Sequence, residues 1–136
     1  VAASGNDGSN EKYYPGANEY VIAVGAIDER DQVATFSTYG NHVSFVAPGD
    51  QIYSSYLNNG YAFASGTSQA APYVAGGVGL LQSYARQKGK KLSDRQIKHV
   101  LKHTSDRIDS RFKHIKAGFG KLNLEDALKY LNYQLS

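Results

Sequence analysis

Gly66-Thr67-Ser68-Gln69-Ala70-Ala71-Pro72 places a serine between glycine-threonine and a run of small residues. A serine hydroxyl becomes a useful nucleophile only when a base takes its proton. It must also be exposed. A helix that opens at the serine would set orphan N–H groups and the positive end of the helix dipole beside it, where negative charge would develop in acyl transfer. Gly66 has no Cβ, so substrate and backbone could approach closely there. The string alone is not decisive, because glycine, serine and small residues also open buried helices. A second residue type that could serve the same chemistry is Asn6, in Gly5-Asn6-Asp7-Gly8. Its amide could donate to an oxyanion, but by residue type it reads first as a turn residue that tolerates left-handed backbone.

The elements that must position these groups are legible from periodicity. Val1-Ala2-Ala3 is the end of a strand whose middle character predicts that the chain continues upstream. Residues 21–26 form an unbroken apolar run, as a strand buried on both faces requires. Residues 42–47 are a second strand, stopped by Pro48-Gly49. Residues 51–55 and 61–64 are a short strand pair joined through Asn58-Asn59-Gly60, a strong turn signal. A helix is predicted over 68–88, with Pro72 near its first turn, where the missing N–H matters least. Glycines 76, 77 and 79 within it should each cost about 1 kcal/mol relative to alanine, which predicts close packing against a sheet. Ser93-Asp94-Arg95-Gln96 has the form of a capping box. Asn123 is placed to cap a last helix whose Leu124, Ala127, Leu128 and Leu131 share one face.

The same residues, in order, resemble the subtilisin-like serine proteases (the subtilase, or peptidase S8, family). Residues 66–76 look like the family's nucleophile segment, and Val1 to Gly8 resembles the strand that ends in its oxyanion asparagine. Tyr14-Pro15-Gly16, residues 21–26, Phe36-Ser37, Ala47-Pro48-Gly49 and Gly118 to Asn123 resemble further landmarks at about the family's spacing. The family usually has Met after the serine and His after the proline, where this chain has Gln69 and Tyr73. The resemblance implies an α/β fold: a three-layer sandwich on a mostly parallel sheet, with residues 1–136 forming the C-terminal part of a single catalytic domain. It implies Ser68 as nucleophile, and Asn6 with the Ser68 N–H as oxyanion donors. Ala3, Ser4, Gly5, Asp7, Tyr13, Tyr14, Gly66 and Thr67 are implied to bind substrate. Ala2 to Gly5 would form one wall of the pocket for the side chain before the scissile bond. Tyr13-Tyr14-Pro15 would form its floor, and Asp7 would stand at the rim, favouring basic side chains weakly. A cis Tyr14–Pro15 bond is also implied.

The family's order of triad residues is Asp, His, Ser, and no Asp-Ser-Gly, Asp-Thr-Gly or His-Gly-Thr-His string occurs here. None of the four histidines reads as a replacement base. His42 begins a strand, His99 and His103 lie four apart on a helix face without a third ligand, and His114 sits in a basic loop. The isolated chain is therefore expected to be inactive, with the triad Asp and His supplied by an N-terminal half of the same domain. The expected partners are a polypeptide substrate, that N-terminal half, and an inhibitory prodomain; nucleic acid and a membrane segment are not expected. Some relatives hold a cation beside the Tyr-Pro segment with an acidic residue, but the matching position is Ser44. No cofactor or metal is expected from these residues, and a structural calcium would belong to the complete enzyme.

Composition bounds the alternatives. With 136 residues, 41% of them hydrophobic, the chain can bury a core. No apolar run reaches membrane-spanning length. The absence of cysteine excludes disulfides and thiol chemistry, and is compatible with the extracellular or cell-surface location that the resemblance implies. Residues 1–85 hold two Lys/Arg against seven Asp/Glu, a charge of −5; residues 86–136 hold thirteen against five, a charge of +8. The basic half reads as a solvated face, its charges spread rather than clustered with aromatics, and the eleven tyrosines read as scattered. Two rival readings remain: a pseudo-protease acting as a binding or regulatory module, and a nucleic-acid-binding domain built on the helix near residues 93–104.

Overall fold

A computed structural model describes residues 1–136. Three parallel strands form the sheet, β1 (Ala2–Ala3), β2 (Ala23–Ile27) and β3 (Val43–Pro48), in the order β1-β2-β3. Every residue of β2 is buried, as the apolar run predicts. Alternation along the strands splits the burial between two faces. Val24, Ala26, Phe45 and Ala47 join the main core, whereas Ile27 and Val46 meet Ala117 on the opposite face. β2 and β3 start two residues and one residue later than periodicity suggests, Val21 and Ile22 lying before the β2 ladder begins.

Helix α1 (Thr67–Gln87) lies on the main-core face. Its buried positions Ala70, Val74, Gly77, Leu81 and Ala85 form one stripe at helical spacing. Helices α2 (Asp94–Thr104) and α3 (Leu124–Gln134) close the same core with Ile97, Val100, Leu101, Ala127 and Leu131. Both caps form as expected. Ser93 and Gln96 make the reciprocal capping box, at 3.2 Å from Gln96 N–H to Ser93 Oγ and 2.8 Å from Ser93 N–H to Gln96 Oε1. Asn123 Oδ1 accepts from the Asp126 N–H at 3.0 Å.

Two expectations for α1 change. Pro72 is the sixth helical residue, not a first-turn residue. Its missing N–H therefore removes the helical partner of the Ser68 carbonyl, four residues back. The glycines also differ in purpose. Gly77 packs on Leu122 and Leu124, but a Cβ at Gly76 or Gly79 would meet nothing within 4 Å. These two lie on a face with exposed Tyr73 and Leu80 (45% and 52% accessible), opposite the sheet-facing stripe.

The pair β4 (Ile52–Tyr56) and β5 (Gly60–Ala64) forms an antiparallel hairpin. Asn58 and Asn59 both take positive φ, 56° and 59°, and the Gly60 N–H bonds to the Leu57 carbonyl at 3.1 Å. This is the residue chemistry of a type I′ turn. The hairpin's tyrosines are not scattered. Tyr53 stacks on Tyr61 at 5.5 Å and meets Phe63 at a tilt of 49° with 4.9 Å between ring centroids, and all three are exposed.

The basic C-terminal half likewise gathers on rings. Lys102 and Lys113 stand 4.9 and 5.3 Å from the Phe119 centroid, and Arg107 stands 4.2 Å from that of Phe112. Part of the charge that the sequence spreads out is thus brought onto aromatic faces, where cation–π attraction and stem burial offset mutual repulsion. The segment after Gly118 is tied to the sheet: the Phe119 N–H bonds to Ser44 O at 2.8 Å and the Leu122 N–H to Val46 O at 3.0 Å. Tyr14–Pro15 is cis.

Candidate active site

The site forms where the C-terminal ends of β1 and β3 meet the start of α1. Close backbone approach sets this junction. The Gly66 N–H donates to the Gly49 carbonyl at 2.7 Å. A Cβ on Gly49 would lie 2.6 Å from the Ala26 Cβ and 2.7 Å from the Gly66 carbonyl oxygen, so the residue after Ala47-Pro48 must be glycine for β3 to deliver the chain to the helix. Ser68, second in the helix, is exposed, while Gly66 and Thr67 before it are buried. Among the first three N–H groups of α1, that of Thr67 bonds to Asn6 Oδ1 and that of Gln69 to the Gly66 carbonyl, so that of Ser68 is left to meet an anion.

Asn6 follows β1 and reaches across to that helix start. Its Oδ1 accepts from the Thr67 N–H at 2.8 Å and from the Thr67 hydroxyl at 2.8 Å. A backbone N–H can only donate, so the carbonyl end of the amide must face Thr67 and the NH₂ end must face away. Which way an asparagine points is normally a matter of assignment; here the partner decides it. The exposed Asn6 NH₂ is left as a donor beside Gly66, where a Cβ would come 3.5 Å from Asn6 Nδ2 and 2.8 Å from Gln69 Oε1. Thr67 itself is fully buried. Its hydroxyl also accepts from the Gly5 N–H at 3.1 Å, so its side chain is spent on holding Gly5 and Asn6.

The remaining residues singled out from sequence form a second layer. Ser4 is fully buried, its hydroxyl donating to the Thr38 carbonyl at 2.8 Å. The Thr38 N–H returns a bond to Gly5 O at 3.0 Å. Asp7 accepts from the Thr38 and Ser9 hydroxyls, both at 2.8 Å, and from the Tyr13 hydroxyl. These bonds, Tyr13's first, hold the Asp7 carboxyl well below the usual carboxylate range and raise the Tyr13 phenol. Ala3 is half-buried in β1, and its carbonyl lies against Gly16, where a Cβ would come within 2.7 Å. Tyr14 is 73% exposed.

Ser68 opens into a cavity of about 690 Å³ lined by the hairpin's Tyr53 and Phe63 and by Gln69, Pro72 and Tyr73 of α1. No histidine lines it. His99 pairs with Tyr130 at 3.1 Å, and His114 accepts from the Lys116 N–H at 3.0 Å. His42 precedes β3, half-buried against Gly40, with its Nε2 unpartnered; burial, then Lys12 and Lys113, lowers its pKa. No three His, Asp or Glu side chains converge as metal ligands.

Two groups of residues escaped the sequence reading. Thr38 carried no local signal, being one polar residue in a loop. The hairpin aromatics carried one, their alternation in β4 and β5, but nothing local shows that the hairpin stands over Ser68.

A parallel α/β sheet that delivers a serine to the start of a helix, with an amide donor clamped beside it, defines the class of serine hydrolases built on α/β scaffolds. The chain belongs to the subtilase family, whose family model matches residues 1–122. It is 42% identical over 130 residues to a thermophilic serine proteinase of Bacillus sp. (strain AK1), an alignment covering 96% of this chain and 30% of that protein. It is 42% identical over 108 residues to the cell wall-associated protease of Bacillus subtilis (strain 168), covering 79% of this chain and 12% of that one. The solved structure of the prenylagaramide maturation protease PagA superposes with a TM-score of 0.85 at 32% identity, over 95% of this chain and 48% of that one. The chain thus spans no more than about half the length of these relatives.

Proposed function

We propose that this chain is the C-terminal part of the catalytic domain of a serine endopeptidase, in which Ser68 attacks the peptide carbonyl. The Ser68 N–H and the Asn6 NH₂ then hold the tetrahedral oxyanion. The general base and the carboxylate that orients it come from the rest of the domain. The observation that carries this reading is the Asn6 amide, whose oxygen is held by two donors from Thr67, so that its NH₂ is left as a donor near Gly66, two residues before Ser68. Such a donor is set before the reaction begins, so it lowers the barrier without reorganisation. The substrate is polypeptide, the location extracellular or cell-surface, and an inhibitory prodomain is a further partner.

A fluorophosphonate probe tests the reading. The full-length protein is expected to be labelled at Ser68, and labelling is expected to vanish when the base histidine supplied by the rest of the domain is replaced. A folded full-length protein that takes no label would instead favour a pseudo-protease, a binding module on the same fold.

The second face of α1 supports the partner half. Tyr73, Gly76, Gly79 and Leu80 leave an apolar strip with room for a close-packed neighbour. If this face met only water, Gly76→Ala would stabilise the helix by about 1 kcal/mol. With the rest of the domain against it, Gly76→Ala in the full-length protein is expected to destabilise by about 1–3 kcal/mol through overpacking. Denaturant unfolding distinguishes the two signs.

A further inference from the structure

We infer that Lys98, Lys102, Arg107, Lys113 and Lys116 form one cationic surface that binds a linear phosphodiester polymer, and so tethers the protein to a phosphate-bearing surface. These residues belong to α2 and to the segment between α2 and Gly118, which contribute nothing to the site around Ser68. The inference therefore does not depend on catalysis at that serine.

The cations come from two stretches that the fold brings together. Lys98 and Lys102 stand one turn apart on α2, both half-buried. Arg107, Lys113 and Lys116 follow it in the chain, and all three are exposed. The buried Phe119 ring gathers one cation from each stretch, Lys102 at 4.9 Å and Lys113 at 5.3 Å from its centroid. Their ammonium groups therefore lie within one Debye length of each other, about 10 Å at 0.1 M salt, and their fields add in solution. Phe112 joins Lys102 and Arg107 in the same way, at 5.4 and 4.2 Å. Lys113 donates to the Asn41 carbonyl at 2.7 Å, and Lys116 stands 5.1 Å from the Tyr39 centroid, so the surface reaches the entry of β3.

No carboxylate of the chain answers this charge. Its ion pairs use Arg111, His114, Lys121 and Lys129, and none of the five cations. The titration of neighbouring groups reports the same field. Burial, then Lys98 and Lys102, lowers the pKa of Lys113; burial, then His99, Lys102 and Arg107, lowers that of His103. A polyanion laid here relieves the repulsion among these cations and releases its own condensed counterions.

The cations also select the kind of anion. Four of the five are lysines, point charges with rotatable donors that suit phosphate oxygens in varied orientations. Carboxylates are best met by the arginine fork, but Arg107 is turned onto the Phe112 ring and donates to the Phe119 carbonyl at 3.5 Å. Single-stranded bases need open aromatic faces to stack on, and the Phe112 and Phe119 rings already carry cations.

The test is fluorescence polarisation of end-labelled poly(glycerol phosphate) titrated with the full-length protein at several salt concentrations. With about four phosphate contacts, affinity is expected to fall about 50-fold between 50 and 200 mM NaCl. The double variant Lys102→Gln/Lys113→Gln is expected to bind more weakly and to flatten the log–log salt slope by about 0.7 per lysine removed. Lys129→Gln removes the same charge from a lysine already paired with Glu125 on α3, and is expected to leave affinity and slope unchanged. Should the double variant fail to fold, Lys102→Gln/Lys116→Gln keeps the Lys113 bond to Asn41 and takes its place. Poly-D-glutamate and duplex DNA, at equal charge concentration, are expected to bind more weakly than poly(glycerol phosphate). The inference is overturned if the polymer does not bind, or binds without salt dependence. It is overturned equally if the Lys102 variants match the wild type, or if Lys129→Gln loses as much as they do. Polyglutamate or DNA bound as tightly as the phosphodiester, or more tightly, also overturns it. Each of these readings is taken without substrate turnover, so failure here leaves the protease reading intact, and failure at Ser68 leaves this surface to be judged alone.

Discussion

Replacing Ser68 by alanine in the full-length protein is expected to abolish peptide hydrolysis while leaving the unfolding transition in place. The two outcomes separate because of where the hydroxyl sits. Ser68 is exposed at the second position of α1, and its hydroxyl makes no bond within the chain that the fold needs. Alanine is also the better helix former. The loss in kcat should approach about 2 × 10⁶, a magnitude known from subtilisin, itself a member of this family. Stopped assays with active-site titration would measure it. A variant retaining substantial activity would remove Ser68 as nucleophile and leave the fold untouched.

Asn6→Ala is expected to reduce kcat by about 10²–10³ with little change in KM, again the scale known for this family's oxyanion asparagine. Its NH₂ meets charge that exists only as the tetrahedral species forms, so its loss falls on the transition state and not on ground-state binding. The bonds from Thr67 make a sharper version available. Thr67→Val removes the hydroxyl that accepts from Gly5 and donates to Asn6, but the backbone N–H still orients the amide. Its effect on kcat is therefore expected to be smaller than that of Asn6→Ala, and to appear partly as lost stability, because the Gly5 N–H loses its partner. An Asn6→Ala variant that raised KM alone would show Asn6 to be a substrate contact or a turn residue.

Local signals carried the strands, caps and helix of this chain well. The unbroken apolar run of β2, the Ser93 capping box and the Asn123 cap depend on neighbours within a few residues, and each formed as its pattern requires. Where local reading failed, the missing information was a distant partner. Pro72 fell near a helix start by pattern, yet its actual depth in α1 depends on where Gly49 hands the chain to Gly66. Gly76 and Gly79 signalled close packing, but not that this chain's own sheet leaves their face uncovered. The lysines of the C-terminal half looked dispersed along the helices; the fold brings Lys102 and Lys113, 11 residues apart, onto the one ring of Phe119.

By itself the sequence determined that a serine stands at the mouth of a helix, that strands buried on both faces precede it, and that the ordered motifs are those of the subtilase family. These are statements about residue type and short spacing, and backbone propensity and hydrophobic period suffice to make them. Only the tertiary structure decided what the polar residues around the serine do. Asn6 and Thr67 are 61 residues apart and Asp7 and Thr38 are 31 apart. Nothing in either segment alone specifies that Asn6 turns its NH₂ outward or that Asp7 gathers the hydroxyls of Thr38 and Tyr13. A hydrogen bond is directional and short, so it exists only once the sheet and α1 have fixed both partners within a few tenths of an ångström. Chain order can place such residues in the same family, but only the packed sheet places them in the same site.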